Sequence, residues 1–207
     1  MPELKLDGEI EVEVRDKNGK LLKYHKQKMH SWVGNFIKVI RACFGMGDLA
    51  DNIENVTLVD GSTRGFPGMD SDTDARWQRT LKVTAGTGND NFGLLFGLSD
   101  TPVTRDDYNL KEKITEGTGN NQMNYGTVTL ETMQEIENGY LFRIIRSATN
   151  NSPSDITVKE IGLFVEHYPY SGPYYFMLAR DVLASPVTVP VGSTITVRYI
   201  VRLTVGG

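Results

Sequence analysis

The chain has 207 residues, 39% of them hydrophobic, and a formal net charge of −4 at pH 7. This length suits one large domain or two small ones, and the apolar content is typical of a folded protein. The negative charge argues against a nucleic-acid partner, and the single cysteine, Cys43, excludes an intrachain disulfide. We find no apolar run near membrane-spanning length and no secretory signal at the start, so we expect a protein made in a cytoplasm with no membrane partner.

The chain begins with a predicted β-hairpin. Ile10, Val12 and Val14 alternate with glutamates, and a second apolar run follows Asn18 and Gly19. Asn-Gly between two such runs predicts a type I′ turn, because both residues tolerate positive φ. The lysines of this hairpin form either a solvated face or a surface for an acidic partner.

A helix is predicted over residues 32–44, with Ser31 as its N-cap. Its apolar residues recur at spacings of three and four, and this apolar face either packs on the chain's own sheet or contacts another subunit. The residues of the face are Trp32, Val33, Phe36, Ile37, Ile40, Cys43 and Phe44.

The rest of the chain is dominated by short apolar runs between turn residues. Residues 60–79 are expected to form a long loop or insertion, and residues 99–124 a loop with at most one helical turn. Further strands are predicted at 55–59, 81–85, 93–98, 125–130, 140–147, 157–164, 174–179, 187–189 and 193–205.

Because only one helix accompanies these strands, parallel βαβ winding is disfavoured. The sequence predicts a mainly β fold, an antiparallel β-sandwich or jelly-roll-like body with an N-terminal β-hairpin and one α-helix. We assign the hairpin and helix to residues 1–50 and the β-sandwich body to residues 51–207, the two forming one continuous structural unit.

The last predicted strand is unusually long. Its apolar residues alternate with threonines and arginines from 193 to 205, and such a run spans roughly 40 Å. We expect the apolar row, from Ile195 to Val205, to face the core. The row with Arg198 and Arg202 is expected to face solvent or a neighbouring subunit, so both arginines are candidate contact residues.

No residue pattern indicates a catalytic or cofactor site. Asp70, Asp72 and Asp74 have the opening spacing of a calcium loop, but the glycine and glutamate that complete an EF-hand are missing, so an exposed acidic loop is the default. The three histidines have no zinc-site spacing, and no carboxylate pair shows an apolar setting. We therefore expect no enzyme activity, no metal and no cofactor.

The segment 167–176 is rich in tyrosine, proline and glycine, a composition that is common in binding loops. Its rings either fold onto the chain's own sheet, contact another subunit, or bind a sugar or receptor. Tyr168, Tyr170 and Tyr174 are therefore candidate contact residues, together with Trp32 and Phe36 of the predicted helix.

Several motifs resemble those of virion structural proteins of tailed bacteriophages. The main block is Thr-Val-Lys-Glu-Ile-Gly-Leu-Phe at 157–164, followed by Met-Leu-Ala-Arg-Asp-Val at 177–182 and Pro-Val-Thr-Val-Pro-Val-Gly at 186–192. Similar patches occur at 30–36, at 93–98 with 108–110, and at 146–151.

The resemblance implies a noncatalytic assembly protein of the virion, working as a homo-oligomer in the capsid or tail beside other virion proteins such as major capsid or tail proteins. Glu160 lies among apolar strand residues and Arg180-Asp181 follows Ala179, so the carboxylate and the arginine would form an ion pair within the subunit or across a subunit boundary. The alternative function is a receptor- or glycan-binding module of a tail fibre or accessory protein, using the tyrosine segment.

Overall fold

The structure is a computed structural model that describes residues 4–29, 31–44, 54–66, 81–168 and 172–205. Its helix is α1 (Gly34–Phe44), and its strands are β1 (Leu4–Arg15), β2 (Leu21–Lys28), β3 (Glu54–Thr57), β4 (Thr63–Phe66), β5 (Gly93–Gly97), β6 (Thr115–Glu116), β7 (Gln122–Tyr125), β8 (Thr129–Leu130), β9 (Gln134–Ile136), β10 (Gly139–Thr149), β11 (Ile156–His167), β12 (Tyr174–Val189) and β13 (Thr194–Val205).

Two sheets form a sandwich-like body. The larger sheet has the order β2-β1-β13-β10-β7-β6, with β8 and β9 also paired to β10, and the smaller sheet has the order β12-β11-β5. The hairpin of β3 and β4 forms a separate two-stranded sheet, and β6 and β7 pair in parallel. The fold-class prediction of a mainly β sandwich with an N-terminal hairpin and one helix is confirmed.

The N-terminal hairpin belongs to the larger sheet. β1 pairs with β13 without interruption from Leu4 opposite Val205 to Arg15 opposite Thr194. The domain boundary predicted between residues 50 and 51 lies outside the described residues.

The core lies between the sheets, and the long strand β13 presents one row of side chains to it. Ile195, Val197 and Tyr199 are fully buried, as the alternation predicts. The Tyr199 hydroxyl donates a hydrogen bond to Asp181 Oδ2 of the opposite sheet at 2.6 Å, and burial, with Asp181 beside it, raises the pKa of Tyr199 well above its ordinary value. The row does not stay buried to its end, because Leu203 is 37% exposed.

Gln27 closes one side of the sandwich. Its side-chain carbonyl accepts from the Ala184 N–H at 2.8 Å, and its amide donates to the Val182 carbonyl at 3.1 Å. One side chain of β2 thereby satisfies two backbone groups of β12 and joins the two sheets.

The predicted type I′ turn of the first hairpin is wrong. Only Gly19 has positive φ, at 82°, whereas Asn18 does not. The Asp16 carboxylate accepts hydrogen bonds from the N–H groups of Asn18 and Lys20, each at 2.9 Å, and the ladder shifts register at Val14/Arg15. The aspartate therefore organises a longer turn, in which glycine alone takes the left-handed conformation.

The predicted start of the helix is also wrong, because α1 begins at Gly34 and Ser31 is not its N-cap. The Ser31 carbonyl accepts from the Arg180 N–H at 3.1 Å, and the Val33 N–H donates to the Leu178 carbonyl at 2.9 Å. Residues 31–33 thus run along the outer edge of β12 and bond its backbone groups. Helix propensity does not take such hydrogen bonds to a distant strand into account.

The apolar face predicted for the helix is rotated relative to the observed one. Val39 and Ala42 are buried, whereas Ile37 is 64% exposed. Asn35 shares the buried side, where its amide bonds the Thr57 carbonyl and N–H at 2.8 and 2.9 Å and the Met177 carbonyl at 3.3 Å. These three bonds determine which side of α1 packs inward. The structure does not describe the side chain of Cys43, which was predicted on the apolar face.

Six other predicted spans differ from the observed elements. The strands predicted at 174–179 and 187–189 are one strand, β12, and the predicted loops at 60–79 and 99–124 contain β4, β6 and β7. Residues 81–85, predicted as a strand, form only an isolated bridge between Lys82 and Glu166. In the predicted strand 125–130, only β8 and the last residue of β7 are in strand conformation.

Candidate assembly surfaces and the clusters that position them

Arg180 lies at the centre of a buried ion cluster between β11, β12 and the loop after β5. Its Nε lies 2.6 Å from Glu160 Oε2 and its Nη1 2.9 Å from Asp107 Oδ2, with side chains no more than 1% exposed. Its Nη2 donates to the Thr101 carbonyl at 2.9 Å. The predicted ion pair of Glu160 with arginine is therefore present, and it forms within the subunit.

The same cluster attaches the loop of residues 98–113 to the sandwich. Glu160 Oε1 accepts from the Glu112 N–H at 3.0 Å, and Lys111 Nζ lies 2.8 Å from Asp107 Oδ1. Burial alone would raise the pKa of Asp107, but hydrogen bonds from Lys111, from Thr104 and from Arg180 outweigh it and lower the pKa to about 2. The cluster is thus compensated in charge, with two cations and two carboxylates.

Gly97 makes room for this cluster. A Cβ at this position would lie 2.5 Å from Glu160 Oε1 and 2.8 Å from the Glu112 carbonyl oxygen. The glycine-rich strand β5 therefore lets the carboxylate and the loop backbone approach closely.

Arg146 organises a second buried cluster without a carboxylate in hydrogen-bonding contact. Its guanidinium donates to the carbonyls of Gly126, Phe92 and Leu94 at 2.9, 3.2 and 3.1 Å, and also to that of Asn89. Its Cζ lies 4.4 Å from the centroid of the Tyr125 ring. A planar fork of five donors can satisfy several carbonyls at once, so Arg146 fixes two loops around the start of β5.

Arg198 and Arg202 lie on the outer face of the larger sheet, the face turned away from the smaller sheet. Arg198 Nη1 is 3.1 Å from Glu13 Oε1, and Arg202 Nη2 is 2.6 Å from Glu9 Oε2. Lys26 also reaches Glu9, at 3.0 Å. Burial alone would raise the pKa of Glu9, but the hydrogen bonds from Lys26 and Arg202 lower it. Both arginines thus have intramolecular partners, and whether they also contact a partner subunit stays a prediction.

The inner face of the larger sheet, which faces the smaller sheet, ends in an exposed apolar row. Leu203 lies opposite Leu6 in β1 and opposite Tyr140 in β10, so the three side chains are neighbours on one face. Leu6 is 47%, Leu203 37% and Tyr140 45% exposed. We call this set the open row. Two positions further along the ladder, Val201 is 8% exposed, so the row marks where the sandwich opens.

An apolar groove continues from the open row into the sandwich. It has a volume of about 280 Å³, and its lining includes Leu6, Phe142 and Val201 from the larger sheet and Leu163 and Val165 from β11. Trp32 and Phe36 form one wall, where their rings stack with centroids 4.0 Å apart. The structure therefore brings these two predicted contact residues together at the open end.

The described residues of the tyrosine-rich segment at 167–176 do not line this groove, and their aromatic side chains differ in exposure. Phe176 is fully buried and Tyr168 is 51% exposed, while Tyr170 lies outside the described residues. Tyr174 is half-buried, with Arg64 Cζ 5.6 Å from its ring centroid, and it lines an open cleft of about 260 Å³ with Asp60, Ser62 and Tyr175.

The residues considered for catalysis or metal binding do not assemble into a site in the part of the chain that the structure describes. No group of three metal-ligating side chains occurs there. His25 bonds Gln27 at 2.8 Å, and His167 is buried 4.7 Å from Phe66, centroid to centroid. Asp70, Asp72 and Asp74 lie outside the described residues. No described helix has the length and apolar character needed to cross a membrane.

Comparisons with protein-family models, with curated proteins and with solved structures each gave no match to this chain.

The open row was missed in the sequence, although a signal for it exists. Leu6 and Leu203 continue the alternation of the buried residues, so periodicity alone assigns them to the core. The length of β13, 12 residues or about twice that of a usual strand, is the feature that could have revealed it.

Proposed function

We propose that this chain is a noncatalytic structural component of a tailed-phage virion that assembles as a homo-oligomer in the capsid or tail. The proposed class of protein rests on the motifs that resemble those of virion structural proteins. The placement of the polar residues in these motifs supports a structural role. Glu160, Arg180, Arg146 and Asn150 belong to these motifs, and each is fully buried.

The observation that supports the proposal most directly is that these polar side chains bind backbone groups of the chain itself and are not exposed in a cleft. Asn150 shows the pattern most clearly: its amide donates to the carbonyls of Val189 and Ser154 at 2.8 and 2.9 Å, while its oxygen accepts from Ser152. Side chains used in this way hold strands and turns in a rigid shape, which is what a repeated assembly unit needs.

The test is the protein composition of purified particles of the phage that encodes this sequence. We expect peptides of the chain in fixed stoichiometry to the major capsid protein, at a copy number that assigns it to capsid or tail tube when in the hundreds and to neck, baseplate or fibre when small. Recovery of the chain only in the soluble fraction of infected cells, with none in particles, would overturn the proposal.

The cleft beside Tyr174 favours a second candidate, a glycan- or receptor-binding module. An aromatic ring next to Asp60, Ser62 and Arg64 provides a stacking surface with polar groups at its rim, a combination that suits a sugar. Tyr174→Ala should then abolish binding to host cells or glycans, whereas Tyr24→Ala, at an exposed tyrosine of β2, should leave it unchanged. Equal binding by both variants rejects this function.

A further inference from the structure

Two hairpin turns lie at opposite ends of the larger sheet. The turn between β1 and β2 follows Arg15, which pairs with Thr194 at the start of β13. The turn between β9 and β10 precedes Gly139, which pairs with Thr204 near the end of β13. The two turns are therefore separated by almost the full length of β13, roughly 35 Å at about 3.3 Å per residue.

The first of these turns, with its flanking residues 15–23, is strongly basic, and we call it the lysine tip. It carries four cations and one carboxylate. That carboxylate, Asp16, is directed into the turn, where it accepts hydrogen bonds from the N–H groups of Asn18 and Lys20. Three of the cations are exposed lysines that form no ion pair with another described residue: Lys17, Lys20 and Lys23.

The second turn, with its flanking residues 134–140, is acidic, and we call it the glutamate tip. It carries two carboxylates and no cation. Glu135 and Glu137 are both exposed, and neither forms an ion pair with another described residue. Glu135 lies opposite Tyr140, so its carboxylate is on the same face of the sheet as the open row.

We propose that a second copy of this chain binds end to end, with the lysine tip of one copy on the glutamate tip and open row of the next. The proposal rests on the homo-oligomer proposed above and names its contact surfaces. Charge complementarity selects this occupant and this orientation, because two lysine tips or two glutamate tips would repel one another.

Exposed apolar side chains accompany the charges at both ends. Leu21 and Leu22 are 46% and 45% exposed beside the lysine tip, and the residues of the open row are 37 to 47% exposed beside the glutamate tip. The end-to-end contact would remove part of both apolar surfaces from water. Apolar burial would thus stabilise the contact, while the charges determine which ends meet.

A contact between two different surfaces can repeat. Each copy that binds through its lysine tip still presents a glutamate tip to a further copy. Such a head-to-tail contact closes into a ring where the rotation between copies permits, and otherwise continues as a filament. Either product is an assembly of many identical copies, as the proposed virion role requires.

Sedimentation equilibrium of the full-length chain tests the proposal through charge reversal. Lys17→Glu with Lys20→Glu makes both tips acidic, and Glu135→Lys with Glu137→Lys makes both tips basic. Each double variant should weaken self-association at least about tenfold, because like charges then meet at the contact. An equimolar mixture of the two double variants should associate again, because each variant then meets opposite charges on the other.

The matched control is Arg105→Glu with Lys159→Glu, which changes the net charge by the same amount as the first double variant. Both residues form ion pairs in or beside the loop of residues 98–113, away from the two tips. This control should leave self-association unchanged. Added salt should weaken the association of the native chain, because it screens exposed charges.

A native chain that is monomeric overturns this contact. An oligomer that either double variant leaves intact also overturns it, and so does one that the mixture fails to restore or that the control weakens equally. None of these results decides the virion role, which is judged by the composition of particles.

Discussion

The interior and the open end of this sandwich each depart from the usual distribution of side chains, because charged groups are buried within the apolar core and apolar side chains are exposed at the open end. Arg146, Glu160 and Arg180 are fully buried at the centre, whereas Leu6 and Leu203 are exposed at one end. A buried charge is costly unless it is paired, and a patch of exposed apolar side chains commonly marks a binding surface. The central clusters therefore hold the subunit together, while the open end leaves apolar side chains uncovered.

Two substitutions on the same face of β13 give the sharpest contrast between these regions. Val197→Asp would bury an unpaired carboxylate and should cost more than about 4 kcal/mol, enough to prevent folding. Leu203→Asp, six residues further along the same row, should fold with a loss below about 1 kcal/mol because the site is 37% exposed. Urea denaturation of both variants measures the difference, and equal losses would show that β13 is not divided in this way.

Removal of the central guanidinium should be nearly as damaging. Arg180→Met leaves the Glu160 and Asp107 carboxylates buried without their shared cation, and should lower the free energy of unfolding by about 3–5 kcal/mol. The matched control is Arg105→Met, because the Arg105 side chain is 88% exposed and its ion pair with Asp106 contributes little. A loss for Arg180→Met no greater than for the control would contradict the structural role of the cluster.

The same cluster should make the protein sensitive to acid. Asp107 has its pKa lowered from 3.8 to about 2, so the folded state binds this proton less readily than the unfolded chain. Its contribution, about 2 kcal/mol, is therefore complete above pH 4 and is lost as the pH falls towards 2.

Unfolding free energies measured between pH 5 and pH 2 check this, with Asp107→Asn as the control. The variant should be less stable at neutral pH but should lose less stability on acidification than the native chain. Parallel pH curves for the two proteins would show that another group causes the acid sensitivity.

The smallest expected effect is on the outer face. Arg198→Glu brings a third carboxylate beside Glu13 and Glu11, but the pair is partly exposed, so the cost to stability should be about 1 kcal/mol or less. The sequence-based prediction is that this change spares the fold and weakens assembly. Thermal unfolding and sedimentation of the one variant separate the two effects, and unchanged sedimentation would remove Arg198 from the contact residues.

Much of the fold could be predicted because its signals are local. Ile195, Val197 and Tyr199 alternate within a few residues, and that period alone gives their strand and its buried face. The pairing of Glu160 with Arg180 could be anticipated because both lie within strongly apolar strands that are close in sequence.

Other features depend on distant groups and were out of reach. Asn35 packs inward because it meets backbone atoms of Thr57 and Met177, and Ser31 leaves the helix because the Arg180 N–H lies beside it. Asp107 joins the cluster although 73 residues separate it from Arg180. The 37% exposure of Leu203 depends on which distant residues lie over it, and no period within β13 encodes that.

Hydrogen exchange of backbone amides in dilute protein tests the central claim that the buried clusters hold the subunit together while the open end is left uncovered within it. The account predicts slow exchange for the amides of β11 beside Glu160 and fast exchange for the Leu6 amide, since β2 pairs with β1 only from Glu9 onwards. Equal protection of the Leu6 amide and the β11 amides in dilute protein would contradict it.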